Sequence, residues 1–264
     1  MDLTTEKGFS IVELLIASTL SLIIILSVLT VYVNATNDSA QLLKHVQFNE
    51  EMNALSQIIS NDIKRAGFWA HAKELNDFSE NPFVTFSVLP DGTKYFPFSI
   101  NLANNGQCIS FAYDADEHDG KNLQTSDLFA YRLKDKQIQV LSSVNFDNFA
   151  KAPCANDSGQ WMSLSDKTFM QISELKFSLV GSQCLNMRTQ EIAQLNNNIQ
   201  PSACSELKNT AGDRLLEMRF ITLSITGKLS QLSDTISSNE MEKTIQISAP
   251  NHHIYIEPSA QPNS

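Results

Sequence analysis

The stretch K-G-F-S-I-V-E-L-L-I-A, Lys7 to Ala17, places the carboxylate of Glu13 inside an apolar run that reaches Val33. From Phe9 to Val33 the residues are almost all Leu, Ile, Val, Ala, Ser or Thr. As an α-helix these 25 positions extend roughly 37 Å, which is enough to cross a bilayer. A carboxylate in such a segment costs about 2.5–3.5 kcal/mol at the helix centre and less toward an end, so Glu13 needs a partner.

Two simpler explanations of this run do not fit all of its features. A secretory signal peptide has a cationic start, a shorter apolar core and a small-residue cleavage site. Here Asp2 and Glu6 accompany a single Lys7, and the apolar core is longer. A plain single-pass anchor fits the length but gives no reason for a carboxylate at Glu13.

A cut between Gly8 and Phe9 would supply the missing partner. Glu13 lies four residues after Phe9, hence about one helical turn away on the same face. The cut would create a positively charged amine on Phe9, which would pair with the carboxylate within one chain or between neighbouring helices. Because an unpaired charge in lipid is costly, we expect the pairing between helices of a bundle to be favoured.

The residues around this position have the arrangement of a known signal. A short polar leader ends in Lys7-Gly8, and Phe9, Ser10 and Glu13 head an apolar helix. This arrangement resembles the class III leader of type IV pilins and of type II secretion pseudopilins. The resemblance implies that prepilin peptidase cuts after Gly8 and N-methylates Phe9, and that Glu13 takes part in subunit assembly.

Beyond Asn34 the composition becomes polar, but an apolar helical rhythm continues. Its members recur at steps of three, four or six residues: Leu42, Val46, Met52, Leu55, Ile59, Ile63 and Ala66. Gly67 follows the last of them, with Lys64 and Arg65 in the closing turn, as is typical of a helix C-terminus. We expect this apolar stripe to contact the protein's own β-sheet.

The residues at the end of this helix indicate which branch of the pilin family the chain resembles most. The segment D-I-K-R-A-G-F, Asp62 to Phe68, resembles the helix end of PilW-like minor pilins and, less closely, that of J-type pseudopilins. The first resemblance implies a minor pilin that waits in the inner membrane. It would join other minor pilins and the major pilin at the inner-membrane assembly platform and prime pilus growth. The second resemblance implies a pseudopilin of a type II secretion system.

Strands and loops are predicted after Trp69. The alternating or β-branched runs are Phe83–Leu89, Cys108–Tyr113, Asp127–Leu133, Gln137–Leu141, Met170–Leu179, Leu215–Ile225, Thr244–Ser248 and His253–Ile256. Between Ser182 and Asp213 the chain is rich in Asn, Gln and Ser, which predicts a long loop with one helical turn around Glu191–Leu195. A long helix followed by many strands indicates an α+β fold, with the helix packed on an antiparallel β-sheet.

These patterns divide the chain into four predicted segments. They are a leader peptide 1–8, an N-terminal helix 9–67 with a transmembrane segment 9–33, a β-rich domain 68–256 and a disordered tail 257–264. The leader resemblance implies a single-pass inner-membrane protein with a cytoplasmic N-terminus and a periplasmic C-terminal domain. After assembly, such a subunit would also be present in the extracellular pilus.

Four cysteines follow the apolar segment: Cys108, Cys154, Cys184 and Cys204. If the span exports everything after it, they lie in the oxidising periplasm, and their even number favours two disulfides. Three pairings are open, as are free buried cysteines. We favour Cys108–Cys154 with Cys184–Cys204, because the second bond would close the long loop and contribute about 3 kcal/mol in the chain-entropy model.

Composition and the remaining motifs argue against several functions. The net charge of −10, from 19 Lys and Arg against 29 Asp and Glu, argues against nucleic-acid contact.

The acidic segment Asp114–Asp119 has its glycine one position late for an EF-hand, so we expect a solvated turn, with calcium binding as the alternative. The sequence contains no recognised catalytic, metal or cofactor motif, so we expect no enzyme activity, metal or cofactor. A membrane-tethered periplasmic enzyme is the alternative class.

Overall fold

A single long helix opens the structure, which is a computed structural model. This helix, α1, spans Ile11–Arg65, which is 55 residues, with Glu13 in its first turn and Lys64 and Arg65 in its last. The charges suit the helix dipole, because the N-terminal end of a helix attracts anions and the C-terminal end attracts cations. The long N-terminal helix expected from the sequence is confirmed.

The structure describes residues 8, 10–70, 83, 87–88, 94–95, 101–103, 106–115, 124–197, 203–207, 213–230 and 240–256. The chain divides into two compact units after Asn49. The first unit contains the N-terminal part of α1. The second contains the last turns of α1 and, among the described residues, all of the β-strands.

A five-stranded antiparallel meander forms one half of the second unit. Two short strands, β1 (Ser87–Val88) and β2 (Lys94–Tyr95), precede it and pair with each other. The meander consists of β3 (Asn101–Ala103), β4 (Cys108–Ala112), β5 (Leu128–Lys134), β6 (Gln137–Val144) and β7 (Gly159–Ser163), in that spatial order. A short helix, α2 (Phe146–Lys151), connects β6 to β7 in sequence.

A second antiparallel sheet is built around one central strand. Its members are β8 (Met170–Ser178), β9 (Gln183–Asn186), β10 (Ile192–Gln194), β11 (Arg214–Leu229) and β12 (Met241–Ile256). Along one side β11 pairs with β12, and along the other it pairs first with β9 and then with β8. β10 extends the sheet beyond β9.

The core of the second sheet follows from the alternation along β11. From Leu215 to Leu229 every odd-numbered residue is buried and every even-numbered one is partly exposed. The last turns of α1 contribute Met52, Leu55, Ile59, Ile63 and Ala66 to the buried interior. A β-carbon added at Gly227 would lie 3.6 Å from Met52 Sδ, so this part of α1 packs on β11. The predicted α+β architecture is therefore confirmed.

The apolar stripe of α1 is not buried over its whole predicted length. Leu42 and Val46 are 65% and 47% exposed, whereas the stripe from Met52 onward is buried. The buried part of the stripe lies in the second unit, where the expected contact with the sheet is confirmed. Helical periodicity identifies an apolar face but not what covers it.

The segment predicted as a long loop contains a hairpin. Strands β9 and β10 pair antiparallel, with Ile192 opposite Leu185, so the helical turn predicted around Glu191–Leu195 is wrong. The Asn186 side chain accepts hydrogen bonds from two backbone N–H groups of the connecting turn, at 2.9 and 3.2 Å. A three-residue strand forms here because β9 supplies its hydrogen-bond partners, which local sequence does not reveal.

The remaining strand predictions agree in position more often than in length. Five of the predicted runs correspond to β4, β5, β6, β8 and β11, and the last two form one strand, β12. In the first run Ser87 and Val88 form β1, whereas Phe83 lies in a turn. Strands β2, β3, β7, β9 and β10 were not predicted. The tail 257–264 lies outside the described residues.

Candidate functional sites at the two ends of the first helix

Gly8, the residue before the predicted cleavage point, is exposed. A β-carbon added there would meet no atom within 4 Å, so packing does not require glycine at this position. Phe9 lies outside the described residues, so its cleavage and N-methylation remain predictions. The structure therefore offers no folding reason for Gly8, and it leaves a recognition role open to it.

Glu13 closes a capping box at the start of α1. The Ser10 carbonyl accepts the first helical hydrogen bond from Leu14 N–H, at 3.1 Å, so Ser10 is the N-cap. Its hydroxyl accepts from Val12 N–H at 3.3 Å, and Glu13 Oε2 accepts from Ser10 N–H at 3.2 Å. Two backbone donors that the helix cannot satisfy are thus paired. The pattern S-x-x-E is the sequence signal for this second role of Glu13, which is additional to the predicted role in assembly.

The carboxylate of Glu13 accepts a hydrogen bond from the residue next in sequence to the predicted new amine. Ser10 N–H, its hydrogen-bond donor, belongs to the residue that follows Phe9. Consecutive Cα atoms are about 3.8 Å apart, so a free amine on Phe9 would be within about one residue length of this donor. A capping carboxylate can therefore accept from Ser10 and still attract a nearby cation, because an ionised carboxylate has about four acceptor sites.

The surface of α1 after Glu13 is almost continuously apolar and exposed. Sixteen large apolar side chains between Ile11 and Val33 are at least half exposed, from Val33 at 51% to Ile11 at 79%. Hydroxyl groups in this stretch donate to carbonyls three or four residues earlier, as Ser18 does to Leu15 and Ser21 to Ala17, at 2.9 and 2.7 Å. Their polar hydrogens are thus satisfied inside the helix, as a lipid environment requires.

Among the described residues, α1 alone is long and apolar enough to cross a membrane. Its apolar stretch is compatible with a single-pass anchor. The orientation of that anchor belongs to the proposal below.

At the other end of α1, Asp62 joins the helix to the first sheet. Its carboxylate accepts hydrogen bonds from the hydroxyl of Tyr131 on β5 and, at 3.5 Å, from that of Tyr113, which follows β4. Burial raises the pKa of both tyrosines, and the negative charge of Asp62 raises it further. Both hydroxyls are therefore protonated donors at neutral pH.

The other residues of the D-I-K-R-A-G-F segment complete this junction. The Arg65 guanidinium lies over the Tyr113 ring, 4.9 Å from its centroid, and Ala66 is buried. Gly67 has φ 77°, in the left-handed region that favours glycine, and its N–H donates to the Ala112 carbonyl at 2.8 Å. The segment Asp62 to Phe68, which resembles the helix end of PilW-like minor pilins, thus also has a structural role. It attaches the end of α1 to β4.

Asp114, the first residue of the predicted acidic turn, is not solvated. Only 3% of its surface is exposed, and Asp114 Oδ2 accepts from Ala70 N–H at 3.1 Å. The expectation of a solvated turn is wrong for this residue, because the chain leaving α1 passes directly over β4. Asp116 and Asp119 lie outside the described residues. Within the described part of the chain, no three His, Cys, Asp or Glu residues are placed to share a metal ion.

The four cysteines form two disulfides in the pairing that the sequence analysis favoured. Cys108 on β4 is joined to Cys154, with the Cα atoms 6.2 Å apart, and Cys184 on β9 is joined to Cys204, at 5.0 Å. Beside the first bond, the buried Arg132 donates to the Cys154 carbonyl at 2.9 Å. Disulfides of this kind are typical of an oxidising compartment.

We expect the two disulfides to contribute unequally to stability. The Cys108–Cys154 bond spans 46 residues and the Cys184–Cys204 bond spans 20. In the chain-entropy model these loops correspond to about 4 and about 3 kcal/mol. Replacing both cysteines of one pair by serine should therefore lower the free energy of unfolding more for the first pair. Thermal unfolding of the two double variants tests this order, and the reverse order would contradict it.

The class that these features fit is that of pilin-like proteins: a candidate membrane helix and a disulfide-bonded β-domain, with the end of the helix packed on the β-domain. Residues 41–247 match the family model described as prepilin peptidase-dependent protein B, and the chain belongs to this family. It is thus a pilin-related protein that depends on prepilin peptidase. The matched region begins at residue 41, so it does not itself include Gly8 or Glu13.

A protein of Haemophilus influenzae, described as uncharacterized, is also similar to this chain. The two are 26% identical over 164 residues, which cover 52% of this chain and 68% of the relative. No solved structure matches the chain significantly.

Proposed function

We propose that the protein is a minor pilin that prepilin peptidase cuts between Gly8 and Phe9 and N-methylates at Phe9. It then takes part in priming type IV pilus assembly, together with other minor pilins, the major pilin and the inner-membrane assembly platform. In this proposal the N-terminus is cytoplasmic and the disulfide-bonded domain is periplasmic. The observation that carries it is a carboxylate at the head of an exposed apolar helix, in a chain of the prepilin peptidase-dependent family.

The mechanism is electrostatic and apolar. A subunit entering the growing bundle places its Phe9 amine against Glu13 of a neighbour, so that two charges in lipid neutralise each other. The exposed apolar side chains of α1 pack against neighbouring helices at the same time. An unprocessed chain lacks the amine, so entry selects processed subunits.

Two alternatives differ from this proposal in ways that can be tested. A J-like pseudopilin of a type II secretion system would use the same leader chemistry, and deleting the gene would block enzyme secretion rather than twitching. A membrane-tethered periplasmic enzyme would show activity in a broad hydrolase screen. We propose that the protein is not an enzyme and carries no cofactor, so we expect a negative screen.

Mass spectrometry of the protein recovered from cells tests the processing step. We expect the mature chain to begin at Phe9 and to carry one additional methyl group. In cells without prepilin peptidase the same protein should begin at Met1. A mature protein that starts elsewhere, or that is processed equally in both strains, would exclude the proposed cut.

A Gly8→Asp variant is a matched control for this measurement. A side chain at Gly8 meets no neighbouring atom, so the domain should fold and form both disulfides as in the wild type. We expect this variant to keep its leader, because the peptidase recognises the residue before the cut.

A further inference from the structure

The bond between Gly8 and Phe9 lies just before the start of α1. Gly8, which supplies the carbonyl of this bond, and Ser10, which follows Phe9, both lie outside the helix, and Gly8 is exposed. A β-carbon at Gly8 would meet no atom within 4 Å, so the space around this residue is open. Proteases cut backbone that is exposed and not held in secondary structure. The position at which α1 begins therefore decides whether this bond is available.

A helix that began one turn earlier would engage the Gly8 carbonyl. Each helical N–H group donates to the carbonyl four residues before it, so Val12 N–H would then donate to Gly8 C=O. That carbonyl belongs to the bond between Gly8 and Phe9. The hydrogen bond would hold it in helical backbone, where a peptidase cannot reach it.

Ser10 supplies the acceptor that competes with this carbonyl. Its hydroxyl accepts from Val12 N–H at 3.3 Å, and its own N–H donates to Glu13 Oε2 at 3.2 Å. The helical hydrogen bond from Leu14 N–H goes to the Ser10 carbonyl, at 3.1 Å. Two donors that would extend the helix toward the leader are thus engaged by side chains instead.

We propose that Ser10 is a positioning residue for the cut: by binding Val12 N–H, its hydroxyl keeps the Gly8 carbonyl outside the helix and open to the peptidase. This inference rests on the proposed function, because it concerns the same bond. The prepilin peptidase-dependent family of the chain independently indicates the enzyme that would meet this residue. Beside an apolar segment an N–H group without a partner is costly, so without the hydroxyl Val12 N–H would turn to Gly8.

Two substitutions at Ser10 separate this role from direct recognition of the side chain. Ser10→Ala removes the cap and leaves a smaller side chain, whereas Ser10→Asn keeps a capping oxygen on a larger one. Ser18→Ala is the control, because the Ser18 hydroxyl donates to the Leu15 carbonyl and takes no part in the cap. Each full chain, with its leader, is mixed in mild detergent with purified prepilin peptidase, and kcat/KM for the cut is measured by mass spectrometry.

We expect kcat/KM to be about fivefold lower for S10A than for the wild type, and unchanged for S10N and S18A. A second measurement needs no peptidase. The ¹³C chemical shift of a labelled Gly8 carbonyl should move toward the helical range in S10A and stay at the wild-type value in S10N.

Equal rates for S10A and the wild type would overturn the inference, as would an unchanged Gly8 carbonyl shift in S10A. Faster cutting of S10A than of S10N would also overturn it, because the peptidase would then select a small side chain. Slow cutting of both variants would show that the enzyme reads the hydroxyl itself, which again excludes the cap. A wild type that is not cut after Gly8 would remove the proposed function as well. If the wild type is cut there, only this inference fails.

Discussion

Replacing Glu13 by alanine is expected to exclude the protein from assembled pili, while its disulfide-bonded domain stays folded in the membrane. In the proposed bundle the Phe9 amine of a neighbour would lose its carboxylate and remain charged in lipid. An unpaired charge in this setting costs about 2.5–3.5 kcal/mol, which corresponds to roughly a hundredfold loss of incorporation. The ratio of this protein in sheared pili to that in the membrane fraction, measured by quantitative immunoblotting, reports the effect.

The capping box gives Glu13 a second role that the alanine variant also removes. Glu13→Gln separates the two, because glutamine at the third helical position still accepts from Ser10 N–H but carries no charge. We expect Glu13→Gln to assemble as poorly as the alanine variant. Assembly at the wild-type level with Gln would show that the cap, not the ion pair, is the reason for Glu13. Normal assembly of the alanine variant would show that assembly requires neither the ion pair nor the cap.

Replacing Asp62 by alanine is expected to have the largest effect on stability among single changes at the helix end. The Tyr131 hydroxyl is buried, with the tyrosine only 1% exposed, and it would lose its acceptor. Losing a hydrogen bond to a charged group and leaving a buried donor unpaired costs about 2–3 kcal/mol. Thermal unfolding of the full chain, followed by near-UV circular dichroism, measures the change.

A double-mutant cycle assigns this loss to the Asp62–Tyr131 contact. Tyr131→Phe removes the donor and keeps the ring, so it leaves the packing of β5 in place. We expect the double variant to be less destabilised than the sum of the two single variants, by about 1.5–3 kcal/mol. Simple additivity would mean that the carboxylate acts through another neighbour, and Tyr113→Phe would then be the next cycle.

The sequence was most informative where one physical requirement dominates a segment. Twenty-five nearly uninterrupted apolar residues predict a membrane helix, and the Gly67 stop beside two cations predicts its end, which the structure has at Arg65. It was least informative for Ile192. Its strand belongs to a sheet only because β9, its neighbour, pairs with β11, which is distant in sequence.

The site at the start of α1 was visible in the sequence because its residues are neighbours in the chain. Gly8, Ser10 and Glu13 lie within six positions, so helical geometry alone relates them. The junction at the helix end was recognised as a motif but not explained. Asp62 meets Tyr131 across 69 residues of chain, and only the packed fold brings them together.

Local sequence carries what depends on local forces: the apolar length of α1, its capped start, its glycine stop and the alternation that makes β11 a strand. Pairing between distant segments is decided only by the tertiary structure. A hydrogen bond or an apolar contact forms with the residues that the complete fold brings close. The pairing of β9 with β11 and the burial of Asp114 beside the end of α1 are of this kind. Each depends on the presence or absence of a neighbour, and composition does not specify a neighbour.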